Sequence, residues 1–418
     1  MKRSPMTVLS MAVLIDMMGF GIVIPVLPFY ALEMGASPLQ VTLLIASFSA
    51  MQMVATPLWG RVSDRRGRRP LLIAGLFASA VSYLIFGLAQ SLWLLLLSRM
   101  AAGAAGGTIS VAHAYVADTT SPERRAHGMG VIGAASGLGV MLGPAIGGFF
   151  SRYGLGAPGY VAALLCLLNA LAAVVLLPES RLRAGGPELT VRGPTTLRAW
   201  LGTMTRPPLG LLLTVYFLGI SAFTAMTALL ALNFERRFAI GADDMGLLFT
   251  LAGGATVVVR GALLGVLVRR LGEPATVRLG ALALLLAAGL LPAMPSIWWA
   301  ALMVPLYAFG AGTLFPCLAS LVSLASEAGQ QGTVLGGSQV VGGLGRVTAP
   351  LWGGWLFQHV GVNTPYHVAA VLAGLSLLLG ARVPFPARGG ARGLQPAPAP
   401  VPLDTRRLPE TTPRAAAD

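Results

Sequence analysis

Residues 60–70 read Gly60-Arg61-Val62-Ser63-Asp64-Arg65-Arg66-Gly67-Arg68-Arg69-Pro70, five arginines and one aspartate between two apolar runs. A weaker copy, Gly265-x3-Arg269-x2-Gly272, follows 205 residues later. A second pattern repeats at nearly the same offset. Gly130-x8-Gly139-x3-Gly143-Pro144-x2-Gly147-Gly148 returns as Gly336-x8-Gly345-x3-Ala349-Pro350-x2-Gly353-Gly354, shifted by 206. Two unrelated patterns at one offset point to a chain built from two copies of one unit. Both copies have the same topology and are related by an axis along the membrane normal.

Composition says what surrounds those units. The 418 residues are 55% hydrophobic and 11% charged, against roughly 25% charged in soluble domains. Mean hydropathy is +0.76. The 53 glycines suit membrane helices, which use small residues to approach closely. At roughly 20 apolar residues per crossing, twelve spans are predicted. The first six cover 6–30, 39–59, 71–89, 92–117, 128–150 and 160–177. The second six cover 209–232, 245–268, 275–291, 298–324, 332–357 and 367–383. The expected fold class is an all-α membrane protein, with twelve transmembrane helices in two six-helix halves.

The net charge of +14 is a topology signal rather than a nucleic-acid footprint. With both termini cytoplasmic, only Arg152, Arg236 and Arg237 of the 29 lysines and arginines fall outside. Arg99, Arg260 and Arg346 fall within spans, and the other 23 are cytoplasmic. The positive-inside rule selects that orientation. Met1-Lys2-Arg3 before an apolar run resembles a signal peptide, but the run contains Asp16, Pro25 and Pro28 and no small-residue cleavage site. It reads as the first span. The expected organisation is a first half over 1–177, a cytoplasmic loop over 178–208, a second half over 209–383 and a disordered cytoplasmic tail over 384–418. Leu197, Trp200, Leu201 and Met204 in the loop suggest a short helix on the membrane surface. Cys166 and Cys317 lie in apolar runs and indicate neither disulfide nor metal site. No His, Asp or Ser cluster has catalytic spacing, so neither enzyme activity nor a cofactor is expected.

The Gly60–Pro70 stretch resembles the signature loop of the major facilitator superfamily. The fifth-span glycines resemble that superfamily's antiporter motif. Asp16-x2-Gly19-x-Gly21-x3-Pro25-x2-Pro28 is similar to the first-helix motif of its twelve-helix drug exporters, and Arg99-x3-Gly103 to their proton-transfer motif. Ala117-Asp118-Thr119-Thr120-Ser121 brings the likeness nearest to the tetracycline–proton antiporter branch. Two positions depart from it. Ser82 stands where that branch carries an acid, and Arg269 stands where the first half has Asp64. The resemblance implies a monomer in the bacterial inner membrane that exchanges protons for a small molecule.

Single residues can be assigned by depth and charge. Of 15 acidic residues only Asp16 lies deep in a span, roughly 15 Å from the cytoplasmic end at about 1.5 Å per residue. A carboxylate there is costly unless paired, hydrated or protonated. A proton that binds and leaves is one use for that cost, and a permanently satisfied structural Asp is the other. Arg99, roughly 10 Å deep, is expected to tune a nearby acid or to bind anionic cargo. Gly60, Asp64, Arg65, Gly67, Arg68, Arg69 and Asp118 form a candidate cytoplasmic gate, with Arg68 and Arg69 meeting Asp118. Gly130, Gly139, Gly143, Pro144, Gly147 and Gly148 form a smooth packing face that shapes the interface between halves.

By the resemblance, the first, fourth, seventh and tenth spans line the cargo cavity. That makes Tyr216, Phe223, Tyr307 and Phe309 candidate contacts. Gln52 and Gln339 are polar candidates on neighbouring spans, and Arg260 and Arg346 are cationic ones. If all three intramembrane arginines face the cavity, anionic or zwitterionic cargo is favoured over cations. His113, near a helix end, reads as structural. The resulting expectation is a proton-coupled antiporter exporting a small amphipathic molecule. A nutrient importer of the same fold and a flippase for anionic lipid remain open on the residues alone.

Overall fold

The computed structural model describes residues 5–180, 202, 204–326 and 331–383. The tail and most of the expected surface helix lie outside them; Met204 of that helix is described and buried. Twelve helical rods run through the described chain. The first six are Pro5–Glu33, Pro38–Arg66, Arg68–Gly87, Leu92–Thr119, Pro122–Ser151 and Ala157–Leu176. The second six are Leu209–Phe238, Ala242–Leu271, Glu273–Ala293, Ile297–Leu324, Gln331–His359 and Thr364–Gly380. They are called the first to twelfth spans below. Ten are long and apolar enough to cross a membrane by length and composition among the described residues. The eleventh is diluted by glycines, Gln339 and Arg346. The twelfth is short, with 17 residues, or roughly 26 Å.

Two rods are broken where the sequence demands it. The first turns at residues 24–26, because Pro25 has no amide to continue the ladder. The fourth breaks at Gly106 and Gly107. Carbonyls freed there need partners, because lipid supplies none. The second span provides them. Trp59 Nε1 donates to Ala104 O at 2.6 Å, and Gln52 Nε2 donates to Gly106 O at 3.4 Å. In the eighth span a π-helical turn, Val259–Leu263, carries Arg260.

The signature stretch is not a loop, contrary to the sequence reading. The second span continues as helix to Arg66, and only Gly67 turns, at φ +98°. Its counterpart Gly272 does the same at φ +83°. Both conformations favour glycine. Charged residues extend the helices beyond the apolar run, so hydropathy placed the helix end too early.

The repeat is visible in the packing. Gly139, Gly143 and Gly147 pack the fifth span onto the first, and Gly345 and Gly353 pack the eleventh onto the seventh. A methyl group on Gly143 would lie 2.6 Å from Gly21 Cα. Gly148 packs against Gly246 of the eighth span, and Gly354 against Thr42 of the second. So of the six predicted interface residues, three glycines serve packing within the first half. Gly148 and the Pro144 carbonyl meet Gly246 of the second half, the Pro144 ring packs on Gly21, and a methyl group on Gly130 would meet no atom within 4 Å.

These contacts are unequal along the rods. At the end away from Gly67, the far end, the halves touch. Arg152 pairs with Asp243 at 3.3 Å, and Leu39 N donates to Gln358 Oε1 at 3.2 Å. At the Gly67 end, methyl groups on Gly60, Gly130, Gly133, Gly137, Gly261 or Gly336 would meet no atom within 4 Å. Among the described residues, the hydrogen bond and the ion pair between the halves lie at the far end, and glycines toward the Gly67 end border open space.

Candidate functional site

Between the halves lies a cavity of about 450 Å³, within the range of small-molecule sites. The first span contributes Asp16 and Phe20, and the second Phe48 and Gln52. Ser79 and Tyr83 come from the third, Arg99 from the fourth, Phe223 and Thr227 from the seventh, and Arg346 from the eleventh. Its charged lining residues are Asp16, Arg99 and Arg346.

Asp16 is 4% exposed. Its position follows from the first span packing into the groove left by the fifth-span glycines. Oδ2 accepts the Thr108 hydroxyl at 2.6 Å, and Ser79 lies on the same cavity wall near it. Thr108 opens the second segment of the fourth span, so the helix break brings a donor to the carboxylate.

Arg99 is 3% exposed. Its guanidinium lies over Phe86 at 4.9 Å and Tyr83 at 5.9 Å, a cation–π setting. Nε reaches Ser98 Oγ at 3.4 Å, and Nη2 has no hydrogen-bond partner. Arg99 and Asp16 share the cavity without forming an ion pair. Arg346 is half-buried on the facing helix and is likewise unpaired among the described residues.

The other predicted contacts divide. Gln52 and Phe223 line the cavity, and Gln52 also closes the fourth-span break. Tyr307 stands behind it, stacked on Phe223 at 5.0 Å and sharing a 2.9 Å hydrogen bond with Thr227. Tyr216, Arg260 and Gln339 line a separate space of about 230 Å³ in the second half, with Phe315 and Ser338. Phe309 and His113 line neither space. Sequence reasoning missed Thr108, Ser79, Tyr83, Phe20, Phe48 and Thr227. The motif spacing around Asp16 and Arg99, with Gln52, Phe223 and Arg346, pointed to the region.

At the Gly67 end, Arg68, Arg69 and Glu179 bond to described residues of the first half. Arg68 bonds Asp118 at 2.9 Å, Asp64 at 2.5 Å and Ser63 Oγ at 2.7 Å. Arg69 does not meet Asp118, because its guanidinium donates to Val174 O. Arg65 sits in the exposed last turn of the second span. Glu179, which the sequence reading left unassigned, accepts the backbone amides of Arg68 and Arg69 at 3.1 and 3.4 Å. It caps the third span, where a carboxylate is favoured. The cluster ties together the ends of the second, third, fourth and sixth spans.

A twelve-rod bundle whose halves enclose one cavity at their interface is a transporter architecture. The profile of the Major Facilitator Superfamily matches residues 9–350, and this multi-pass membrane protein belongs to that superfamily. Among its relatives is the class B tetracycline resistance protein of Escherichia coli, 30% identical, with 88% of this chain and 94% of that one aligned. Multidrug resistance protein 2 of Bacillus subtilis (strain 168) is 29% identical over 90% of this chain and 95% of its own. The crystal structure of the human organic anion transporter MFSD10 (TETRAN) superposes with a TM-score of 0.68 at 28% identity, covering 90% of this chain and 98% of that one.

Proposed function

We propose that this protein is a proton-coupled antiporter of a bacterial cell membrane, exporting a small amphipathic molecule by alternating access. Asp16 carries the proton, and Arg99 sets the field around it. The Gly67 end and both termini are cytoplasmic, which leaves the described conformation open to the cytoplasm. The halves, residues 1–177 and 209–383, rock about the cavity, joined by 178–208. The protein works as a monomer without a cofactor.

One observation carries the reading. The single deep carboxylate of the chain lines a cavity shared by both halves, and Arg99, whose Nη2 has no hydrogen-bond partner, lines the same cavity. Protonation removes a charge whose burial is costly, so a proton there changes the energy of closing the cavity. The likeness to tetracycline and multidrug resistance proteins supports export over nutrient import.

The charged cluster, read from the sequence as a cytoplasmic gate, also has a role in holding span ends together. The bonds of Arg68, Arg69 and Glu179 join the ends of the second, third, fourth and sixth spans, so they bind four span ends into a unit that moves as a body. The far-end contacts, including Arg152–Asp243, are those that must break for outward opening.

A growth-inhibition panel in a pump-deficient bacterium tests export. Expression raises tolerance to at least one amphipathic compound, and a proton uncoupler removes the gain. Tolerance that survives the uncoupler contradicts proton coupling. Greater sensitivity, with uptake of the same compound, supports the importer reading instead.

A further inference from the structure

The cavity holds two guanidinium groups, one from each half, and one carboxylate. Arg99 is nearly fully buried, and its Nη2 has no partner. Arg346 makes no ion pair among the described residues. Asp16 neutralises neither, because its carboxylate is turned to the hydroxyls of Thr108 and Ser79. A buried charge persists when it is paired. An anionic group on the cargo is the partner that this geometry lacks, and bound there it would bridge the two halves.

The sign of coupling adds a second requirement. The groups facing Asp16 are the hydroxyls of Thr108 and Ser79, with Tyr83 and Cys166 as its titratable neighbours and Arg99 and Arg346 elsewhere on the lining of the same cavity. A cargo that is only an anion is repelled by the ionised Asp16 and relieved by its protonation. Such a cargo binds together with the proton and travels with it. Exchange needs the two to exclude each other. A cationic group seated at Asp16 achieves this by competing for the carboxylate.

We infer that the cargo is a zwitterion with a flat apolar body. Its acid is held by Arg99 and Arg346, its cation is at Asp16, and its body lies among Phe20, Phe48 and Phe223. This rests on the exchange reading above for its cationic half. The anion site rests on the arginines alone.

Three probes of one shape separate these terms: naphthylalanine, naphthylethylamine and naphthylpropionate. Their equilibrium binding is measured on the full chain in nanodiscs, where no gradient exists. The zwitterion is expected to bind about tenfold tighter than either relative. Arg99→Gln and Arg346→Gln each cost the zwitterion about tenfold and leave the amine within about twofold. Acidification weakens the zwitterion and the amine and strengthens the propionate, and Asp16→Asn removes these trends. The amine binding as tightly as the zwitterion, or no zwitterion binding at millimolar concentration, overturns the inference without need of any variant. Zwitterion selectivity that holds while cargo flux moves no protons would instead sink the exchange reading and leave the anion site standing.

Discussion

Gly67 shows how much one backbone angle decides. It turns the chain at φ +98° between the second and third spans, and a methyl group there would sit 2.8 Å from the Glu179 carboxylate. Gly67→Ala is expected to cost about 1–3 kcal/mol from left-handed strain and displacement of that cap. Gly60→Ala, where nothing lies within 4 Å, is expected to be neutral or slightly stabilising. Thermal unfolding in detergent checks the pair; equal melting temperatures would refute the account of Gly67. Glu179→Gln keeps the shape but removes the charge from three amide bonds, those of Arg68, Arg69 and Ser180, with an expected loss of about 1 kcal/mol. Glu179 was illegible in the sequence because it reaches a partner 111 residues away. The Asp16 position was legible, since an acid deep in an apolar run is rare whatever its neighbours. Its neighbours Thr108 and Ser79 were not, because hydroxyls are common in such runs and nothing marks which of them point inward.

At the scale of elements, the fifth span separates packing from opening. Gly139, Gly143 and Gly147 hold it against the first span, whereas methyl groups on Gly130, Gly133 or Gly137 of the same helix would meet no atom within 4 Å. Gly143→Ala therefore forces backbone apart and is expected to destabilise by about 1–3 kcal/mol. Gly130→Ala is expected to fold normally. Expression and melting temperature of both, measured side by side, test the distinction. The span count, the repeat and the antiporter glycines were all readable, because they depend on spacing along one helix. Helix azimuth was not readable. A span that is apolar all round carries no moment to show which face meets the cavity. Tyr216 and Gln339 therefore went to a separate space, while Phe20 and Phe48 lined the main one unannounced.

Across the whole molecule, the asymmetry between the two ends is the main result of the fold. The far end is closed by helix contacts at Gly148–Gly246 and Gly354–Thr42, with Arg152–Asp243 beside them. That exposed ion pair contributes little stability, about 0–1 kcal/mol, so it marks the closed end without locking it. Cysteines replacing Arg152 and Asp243 are expected to cross-link in cargo-free protein and to stop transport until reduced. The native Cys166 and Cys317 are buried and give little background. A cross-linked protein that still transports would show that the far end need not open.

The central claim is that cargo leaves in exchange for protons at Asp16. Proteoliposomes loaded with an exported compound and a luminal pH dye, diluted into compound-free buffer, test it directly. The account predicts that cargo efflux acidifies the lumen and that Asp16→Asn abolishes the acidification. Efflux without a luminal pH change, efflux with alkalinisation, or full acidification by Asp16→Asn would contradict it.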